Sequence, residues 1–266
     1  MRFFFIGDIV GKPGHKLVTA HAAAIRQQYH LDYVIANAEN AADGSGLTPK
    51  IYESLIHSGI DGITLGDHIY RRREIYPVLH SEMNIVKPAN FPETAPGRRL
   101  AIIGDNVGQQ MAIISLMGRV FMKPVDCPFQ AVDEVLKQVP ANVRIILVDF
   151  HAEATSDKQL MGRYLDGRVT AVLGTHTHVP TADARILPGG TAFQCDVGMT
   201  GPYESILGRK IDPVTEATTT FRPMQFQVAT DDVRISGTVV EVNVQNGKAT
   251  KIEPLVLTQA ELEANV

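Results

Sequence analysis

The sequence predicts an α/β fold whose strands are buried and mostly parallel. Short apolar runs alternate with helical stretches through the first two thirds of the chain, which is the pattern of such folds. Of the 266 residues, 44% are hydrophobic and 20% are charged, as in ordinary globular proteins. A chain of this length can bury a sizeable core. Because no linker or internal repeat interrupts it, we expect residues 1–266 to form a single domain.

The strands and helices of this region follow from the spacing of apolar residues and from helix-capping residues. Strands are expected at residues 2–6, 33–36, 60–65, 100–103, 111–116, 144–148 and 169–173. Helices are expected at about 14–29, 49–58, 128–139 and 157–165, with another short helix after the basic segment 71–73. Thr48 and Pro49 have the residue types of an N-cap and a first helical position, and Gly59 is of the type that ends a helix.

The last third of the sequence differs in character. Residues 196–220 are rich in Gly, Pro and Thr, which predicts a long loop region. Residues 235–244 and 248–257 have mostly alternating polarity around Asn246-Gly247, a sequence typical of a type I′ turn. We therefore expect a β-hairpin at the edge of a sheet.

Composition excludes several classes of function. The net charge of −4 argues against bulk nucleic-acid binding, though not against a nucleotide-sized substrate. Cys127 and Cys195 lie far apart, so we expect both to be unpaired in a reducing compartment. The N-terminal apolar run, residues 3–6, is too short for a signal peptide, and no run approaches the roughly 18 apolar residues that span a bilayer. A cytoplasmic protein without a membrane segment is expected.

Two histidines follow the apolar run 169–173. In an extended segment His176 and His178 would point to the same side of the backbone, with Thr177 turned away. Both imidazoles could then reach one small volume, and neutral imidazole is a common metal ligand. Two polar residues in a loop are the alternative interpretation of this pair, and the other strand ends decide between them.

The other expected strand ends carry residues of the same kind. They are Asp8, Glu39, Asn40, Asp67, His68 and His151. Because ligands bind at the carboxyl ends of strands in α/β sheets, these loops are expected to converge on one side of the sheet. Buried imidazoles and carboxylates are costly unless they are paired or metal-bound, so we favour a metal site over a structural polar network. The histidines in or beside helices are expected at the surface or in packing contacts: His15, His21, His30, His57 and His80.

The number of candidate ligands indicates two metal ions. Three carboxylates, one amide and three or four imidazoles exceed what one ion needs beside open positions for a substrate. The mixed nitrogen and oxygen set suits divalent Fe, Mn or Zn, and the absence of cysteine argues against an iron–sulfur site. Two ions about 3.5–4 Å apart, bridged by a carboxylate and a hydroxide, suit in-line attack on phosphorus.

Five motifs, in this order, resemble the YmdB-type family of calcineurin-like metallophosphoesterases. They span Phe5 to Gly11, Asn37 to Asn40, Gly66 to His68, Asp149 to Glu153 and Gly174 to His178. The resemblance covers nearly the whole chain. It implies a four-layer α/β/β/α sandwich of the metallophosphoesterase type, and hydrolysis of small cyclic nucleotides, 2′,3′-cyclic ones above all, with cyclic AMP as a further candidate.

The same resemblance implies a role for each candidate residue. One metal ion would be held by Asp8, Glu39, Asn40 and His178, and the second by Glu39, Asp67, His151 and His176. Glu39 would bridge the ions. Fe or Mn would be favoured over Zn as the bound metal. His68 would be the general acid that protonates the departing ribose oxygen. Since neighbours on an extended backbone point to opposite sides, His68 is not expected to share the metal of Asp67.

Several alternatives stay open at this stage. A phosphomonoesterase on the same scaffold and a regulatory protein that binds a nucleotide or RNA end with little turnover are the rival functions. The complete ligand set with His68 favours turnover. The wider superfamily usually has Asn where this chain has Asp67, which leaves the metal preference open. The oligomeric state is open too, a homo-oligomer included.

Two further segments have weaker signals. The basic segment 71–73 could contact a substrate phosphate, but a run of charge is more often a solvated face. Residues 44–46 could form a phosphate-binding loop, yet they lack the lysine and hydroxyl residue of a P-loop, so a surface turn is favoured.

Overall fold

Two β-sheets form the centre of the structure, a computed structural model that describes residues 1–104 and 109–264. The first sheet contains β1 (Arg2–Ile6), β2 (Asp8–Ile9), β3 (Tyr33–Asn37), β4 (Gly62–Thr64), β5 (Ile85–Val86), β12 (Met199–Pro202), β13 (Val233–Asn243) and β14 (Lys248–Thr258). The second contains β6 (Ala101–Ile103), β7 (Met111–Met117), β8 (Ile145–His151), β9 (Ala171–Thr175), β10 (Arg185–Ile186) and β11 (Ala192–Gln194).

Each sheet contains four consecutive strands that run parallel to one another. In the first sheet β1, β3, β4 and β5 run parallel, and β13 pairs antiparallel with β1. In the second, β7, β8, β9 and β11 run parallel, with β6 and β10 antiparallel at the two edges. The prediction of mostly parallel strands is therefore confirmed for four consecutive strands of each sheet.

Side-chain alternation along the strands creates three separate cores. In β1, Phe4 and Ile6 pack against helices, whereas Phe3 and Phe5 lie in the core between the two sheets. Strands β7 and β8 alternate in the same way between that middle core and the helices on the far side. Full burial of one such phenylalanine contributes about 1.5–3 kcal/mol. Three cores between four layers make an α/β/β/α sandwich, as the resemblance implied.

The helices cover the outer faces of the two sheets. They are α1 (Gly11–Gln28), α2 (Pro49–His57), α3 (Tyr76–Ser81), α4 (Pro128–Leu136), α5 (Thr155–Tyr164), α6 (Ile211–Thr220) and α7 (Gln259–Ala264). Helix α2 begins as predicted, because the Thr48 side chain accepts a hydrogen bond from the Ile51 backbone N–H at 3.4 Å and Pro49 follows it. No described helix has the length and apolar character that crossing a bilayer requires.

The prediction of a long loop over 196–220 was wrong. This segment contains β12, which pairs with β2 and β13, and helix α6, none of whose residues is buried. Tertiary pairing gives β12 its extended backbone, because four residues rich in Gly and Pro have little strand preference of their own.

The hairpin prediction was correct in part. Strand β14 pairs with β13, but β13 also pairs with β1 and β12, so only β14 is an edge strand. The connection has four residues, 244–247, since Asn243 is opposite Lys248. Of the non-glycine residues described there none has a positive φ, while Gly247 has φ 71°, so the turn is not type I′.

Both cysteines are free, as expected. Cys127 is partly exposed, whereas Cys195 is buried beside α5, and burial raises the pKa of its thiol to about 11. The Cys195 thiol therefore packs as a small hydrophobic side chain.

Candidate metal centre

The candidate site lies where the carboxyl ends of five strands from both sheets meet. Strand β1 leads to Asp8, β3 to Glu39 and Asn40, β4 to Asp67 and His68, β8 to His151, and β9 to His176 and His178. The eight polar residues expected from the sequence are thus brought together. They converge between the edges of two sheets, whereas the residue pattern alone had indicated one side of one sheet.

Four of these residues form what we call the His151 cluster: Glu39, Asp67, His151 and His176. Each offers one ligand atom, and the four atoms lie within 4.8 Å of one another. His151 Nε2 is 3.1 Å from Glu39 Oε1, 3.4 Å from Asp67 Oδ1 and 3.0 Å from His176 Nδ1. Two carboxylates and two imidazoles of this kind make a donor set that suits a divalent transition metal.

The electrostatics of the His151 cluster favour positive charge at its centre. Burial by itself would lower the pKa of His151, but Glu39 and Asp67 outweigh it and raise that pKa well above its usual value. Burial would raise the pKa of Asp67, yet the close contact and charge of His151 and the charge of His68 hold it below its usual range. The carboxylates of Glu39 and Asp67 therefore favour positive charge beside His151 Nε2, where a metal cation would meet all four ligand atoms.

Two further observations fit a bound ion at this position. The buried Asp67 Oδ1 faces His151 Nε2 at 3.4 Å without meeting the geometry of a hydrogen bond in the described structure, and a metal ion there would satisfy this oxygen. A β-carbon at Gly66 would clash with the ring of His151 and the carboxylate of Glu39, so glycine keeps the space open. The residues of the His151 cluster therefore fit a metal ion.

Neighbouring acceptors orient the two imidazoles of this cluster. His176 Nε2 is 3.2 Å from Glu153 Oε2, and a carboxylate only accepts, so the lone pair of Nδ1 faces the cluster. His151 Nδ1 is 2.9 Å from Thr175 Oγ1, whose hydroxyl donates to Asp149 Oδ1 at 2.7 Å. His151 therefore keeps its proton on Nδ1 and can offer Nε2 to a metal. Burial raises the pKa of Asp149 to about 6.

Beside it lies a second group, which we call the His178 cluster: Asp8, Asn40 and His178. Asn40 Nδ2 is 3.4 Å from Asp8 Oδ1, 3.3 Å from His178 Nε2 and 3.4 Å from Glu39 Oε1. The Leu207 carbonyl is 3.1 Å from His178 Nδ1, which must carry the proton and leaves Nε2 as the free ligand atom. Metal binding by Asn40 would require its amide to turn Oδ1 inward. Glu39 Oε1 contacts both clusters.

His68 lies at the rim of the two clusters. Its Nδ1 is 2.7 Å from Asn40 Oδ1, its Nε2 is 3.7 Å from Asp67 Oδ2, and 26% of its side chain is exposed. The expectation of an extended backbone here was wrong, because His68 is in a turn over residues 67–70. The turn places the ring against Asn40, outside the four-atom His151 cluster.

The backbone of the double histidine also differs from the prediction. His176 has φ 96° and His178 has φ 64°, so the segment is kinked and the two imidazoles enter different clusters. Asp196 Oδ2 accepts hydrogen bonds from the Thr177 backbone N–H at 3.0 Å and from its hydroxyl at 2.6 Å. Lys158 Nζ donates to the same carboxylate at 2.8 Å.

Sequence reasoning missed Lys158 and Asp196, which are both fully buried. Neither belongs to a motif. The one available signal was helical spacing, since Lys158 shares the buried face of α5 with Met161, where a lone lysine needs a partner.

A cavity of about 270 Å³ opens onto both clusters. Its lining includes His68, Glu153, His176, His178, Leu207 and Arg209. Leu207 and Arg209 carried no sequence signal, because they lie in the segment that was predicted as a loop.

The two weaker segments have different outcomes. Arg72 forms a solvent-exposed ion pair with Asp43 at 3.0 Å, and none of residues 71–73 lines the cavity, so the solvated-face interpretation is supported. Gly44, by contrast, does line the cavity. The five helix-associated histidines are exposed or half-buried and lie outside the clusters.

Comparison with known proteins gives one family and close relatives. The family model described as YmdB-like protein matches residues 4–255. A curated relative from Bacillus subtilis (strain 168), named 2′,3′-cyclic-nucleotide 2′-phosphodiesterase, is 46% identical over 257 residues, which is 97% of each chain. A solved hypothetical protein from Thermus thermophilus has a TM-score of 0.90 and 43% identity over 97% of this chain and 99% of that one. A solved structure titled as a novel phosphatase of Mycoplasma pneumoniae has a TM-score of 0.90 and 32% identity, over 99% of this chain and 96% of that one.

Proposed function

The chain belongs to the YmdB-like protein family, and from this we propose that it is a dinuclear metal-dependent phosphodiesterase acting on 2′,3′-cyclic nucleotides. One observation carries the proposal: the His151 and His178 clusters adjoin, share Glu39 and open onto one small cavity. The name of the Bacillus subtilis relative supports the choice of substrate, and the cavity volume of about 270 Å³ suits a small molecule.

The ligand roles in this proposal follow the two clusters. Asp8, Asn40 and His178 hold one ion together with Glu39, while Asp67, His151 and His176 hold the other, again with Glu39. A bridging role for Glu39 is supported by Oε1, which is 3.1 Å from His151 Nε2 and 3.4 Å from Asn40 Nδ2. Two bound divalent ions, Fe or Mn, supply an activated water nucleophile and neutralise charge on the phosphoryl oxygens.

His68 supplies the proton in the proposed reaction. The Asn40 side-chain amide lies 2.7 Å from His68 Nδ1 and fixes the ring at the edge of the cavity, where an Nε2–H can donate to a substrate group. Hydrolysis of a 2′,3′-cyclic nucleotide breaks the bond from phosphorus to the 2′ oxygen. That oxygen leaves as an alkoxide unless it is protonated, so a positioned imidazolium lowers the barrier.

We also propose that residues 1–266 act as a single domain. Glu39 and Asp67 follow strands of the first sheet, whereas His151 and His176 follow strands of the second. Neither sheet alone could assemble the His151 cluster.

The test is turnover by the purified chain loaded with Mn²⁺ or Fe²⁺. We expect 2′,3′-cyclic AMP to be converted to 3′-AMP and the reaction to stop there, while chelator-treated protein and Glu39→Gln are inactive. Parallel assays on 3′,5′-cyclic AMP establish whether a diester with the larger phosphodiester ring is accepted.

Two results would contradict the proposal. Hydrolysis of nucleoside monophosphates without hydrolysis of the cyclic diester would identify a phosphomonoesterase. Tight nucleotide binding by the metal-loaded protein with no turnover would identify a regulatory binding protein.

A further inference from the structure

Arg209 places a positive charge in the wall of the cavity. It lines the same space as His68 and His178, and it is half-buried. Its Nη1 donates to the Asp43 carbonyl at 3.1 Å and to the Phe226 carbonyl at 3.4 Å, and its Nη2 donates to the Gly44 carbonyl. None of the carboxylates in the described structure forms an ion pair with it.

The guanidinium is held in one place by these carbonyls. Gly44 contributes to the fit, because a β-carbon there would clash with the guanidinium group. The carbonyls belong to the loop after β3, which carries Glu39 and Asn40, and to the segment after α6. Arg209 itself lies two residues from Leu207, whose carbonyl contacts His178. A fixed cation therefore lies beside the His178 cluster.

Its unpaired charge is the feature that needs an explanation. Burial lowers the pKa of Arg209, yet a guanidinium stays charged at neutral pH. Neutral carbonyls satisfy three of its five N–H donors but leave its charge uncompensated by any described carboxylate. A half-buried cation without a counter-ion has the property expected of a group that receives an anion.

We propose that Arg209 binds a non-bridging phosphate oxygen of the substrate, an inference that rests on the proposed phosphodiesterase function. Besides three histidines, the other ionisable side chains that line the cavity are Glu39 and Glu153, whose carboxylates repel an anion. Lys123, near Asp67, is 59% exposed and does not line the cavity. Two N–H donors of Arg209 have no partner among the described residues, and the planar fork of a guanidinium suits phosphate oxygens.

The test compares Arg209→Gln and Arg209→Lys with Arg72→Gln, whose arginine pairs with Asp43 outside the cavity. With Mn²⁺-loaded protein, KM and kcat are measured on 2′,3′-cyclic AMP and on bis(p-nitrophenyl) phosphate, and the Kd of inorganic phosphate is measured by calorimetry. For Arg209→Gln we expect KM on both diesters and the phosphate Kd to rise about 10- to 100-fold, with a smaller change in kcat. Arg209→Lys should recover part of the loss, and Arg72→Gln should match the unsubstituted chain.

Three other outcomes overturn the inference. An unchanged phosphate Kd in Arg209→Gln excludes the contact. A rise in KM on 2′,3′-cyclic AMP alone would show that Arg209 contacts the nucleoside of the substrate. An equal fall in metal content and Tm in both Arg209 variants would show that Arg209 only holds two loops together. If the unsubstituted chain binds phosphate but hydrolyses neither diester, the proposed function fails, and the phosphate Kd of the variants still decides the role of Arg209.

Discussion

His68 is the residue on which the proposed proton transfer depends, and its substitution separates that role from metal binding. We expect His68→Ala to retain its metal ions, because its ring lies outside the His151 cluster. On 2′,3′-cyclic AMP the rate should fall about 10²- to 10⁴-fold. The rate on bis(p-nitrophenyl) phosphate should fall much less, because its aryl oxide leaving group departs without needing a proton. Steady-state kinetics on both substrates provide the measurement.

His80 offers a matched control for this substitution, since it is an exposed histidine near the end of α3. His80→Ala should leave both rates unchanged. Equal losses on the two substrates in His68→Ala would argue against the acid role.

Asp67 is the site residue whose effect on metal preference the sequence left open. Neighbouring imidazoles hold its pKa below the usual range despite burial, so it contributes a full negative charge to the site. We expect Asp67→Asn to retain metal and turnover, since an amide oxygen can also be a ligand. Loss of the negative charge should lower the pKa of the group whose ionisation activates the enzyme, which moves the acidic limb of the pH–rate profile to lower pH.

Lys123 supplies the opposing variant, because its Nζ is 3.8 Å from Asp67 Oδ2. Lys123→Met should move the same limb to higher pH, and only slightly, since this lysine is exposed to solvent. A pH profile that does not move in Asp67→Asn would show that the carboxylate only hydrogen-bonds within its turn.

At the scale of elements, the loop after β9 is positioned by a buried ion pair from elsewhere in the chain. Lys158 of α5 and Asp196 hold Thr177, which lies between the two histidines. Removing one partner of a buried pair leaves the other charge uncompensated, so Lys158→Met should destabilise the fold by about 3–5 kcal/mol. Metal affinity should fall as well, because His176 and His178 are no longer held in their kinked backbone.

Denaturant unfolding of the metal-free protein and calorimetric metal titration measure these two effects. Lys137→Met is the control, because Lys137 pairs with Glu134 at 2.7 Å on the surface, where loss of a pair changes little. An unfolding free energy of Lys158→Met equal to that of the unsubstituted chain would show that the Lys158–Asp196 ion pair does not stabilise the fold.

At the scale of the whole molecule, a metal ion in the His151 cluster would join the two sheets. Its ligands come from β3 and β4 on one side and β8 and β9 on the other. Binding to the folded state alone stabilises it by about 2.7 kcal/mol at a free metal concentration of one hundred times Kd. Chelation should therefore lower Tm, and titration with Mn²⁺ should raise it with metal concentration. A Tm that does not change with metal concentration would contradict a metal site shared by both sheets.

Metal binding should also release protons. The raised pKa of His151 favours the protonated imidazole in the metal-free protein, and a metal ligand must lose that proton. The apparent metal affinity should therefore rise with pH until the raised pKa is passed. Calorimetry at pH 7 in two buffers of different ionisation enthalpy measures the protons released. Identical heats in both buffers would show that His151 is already neutral.

Much of the fold could be predicted because it depends on local patterns. Apolar runs located the central strands of both sheets, and Thr48 with Pro49 located the start of α2. The eight candidate site residues were also visible, since each lies within five residues of the end of such a run. The hairpin connection and the segment 196–220 were not predictable in the same way, because pairing with distant strands determined their conformation.

By itself, the sequence determined which residues lie at the strand ends and hence the chemistry available there. Only the tertiary structure decided how those side chains are directed. The left-handed backbone of His176 and His178 depends on Thr177 being held by Asp196, at a separation of 19 residues. Arg209 enters the cavity through contact with a carbonyl 166 residues away, at Asp43. No local pattern encodes either arrangement, because both arise from contacts between segments that are neighbours only after folding.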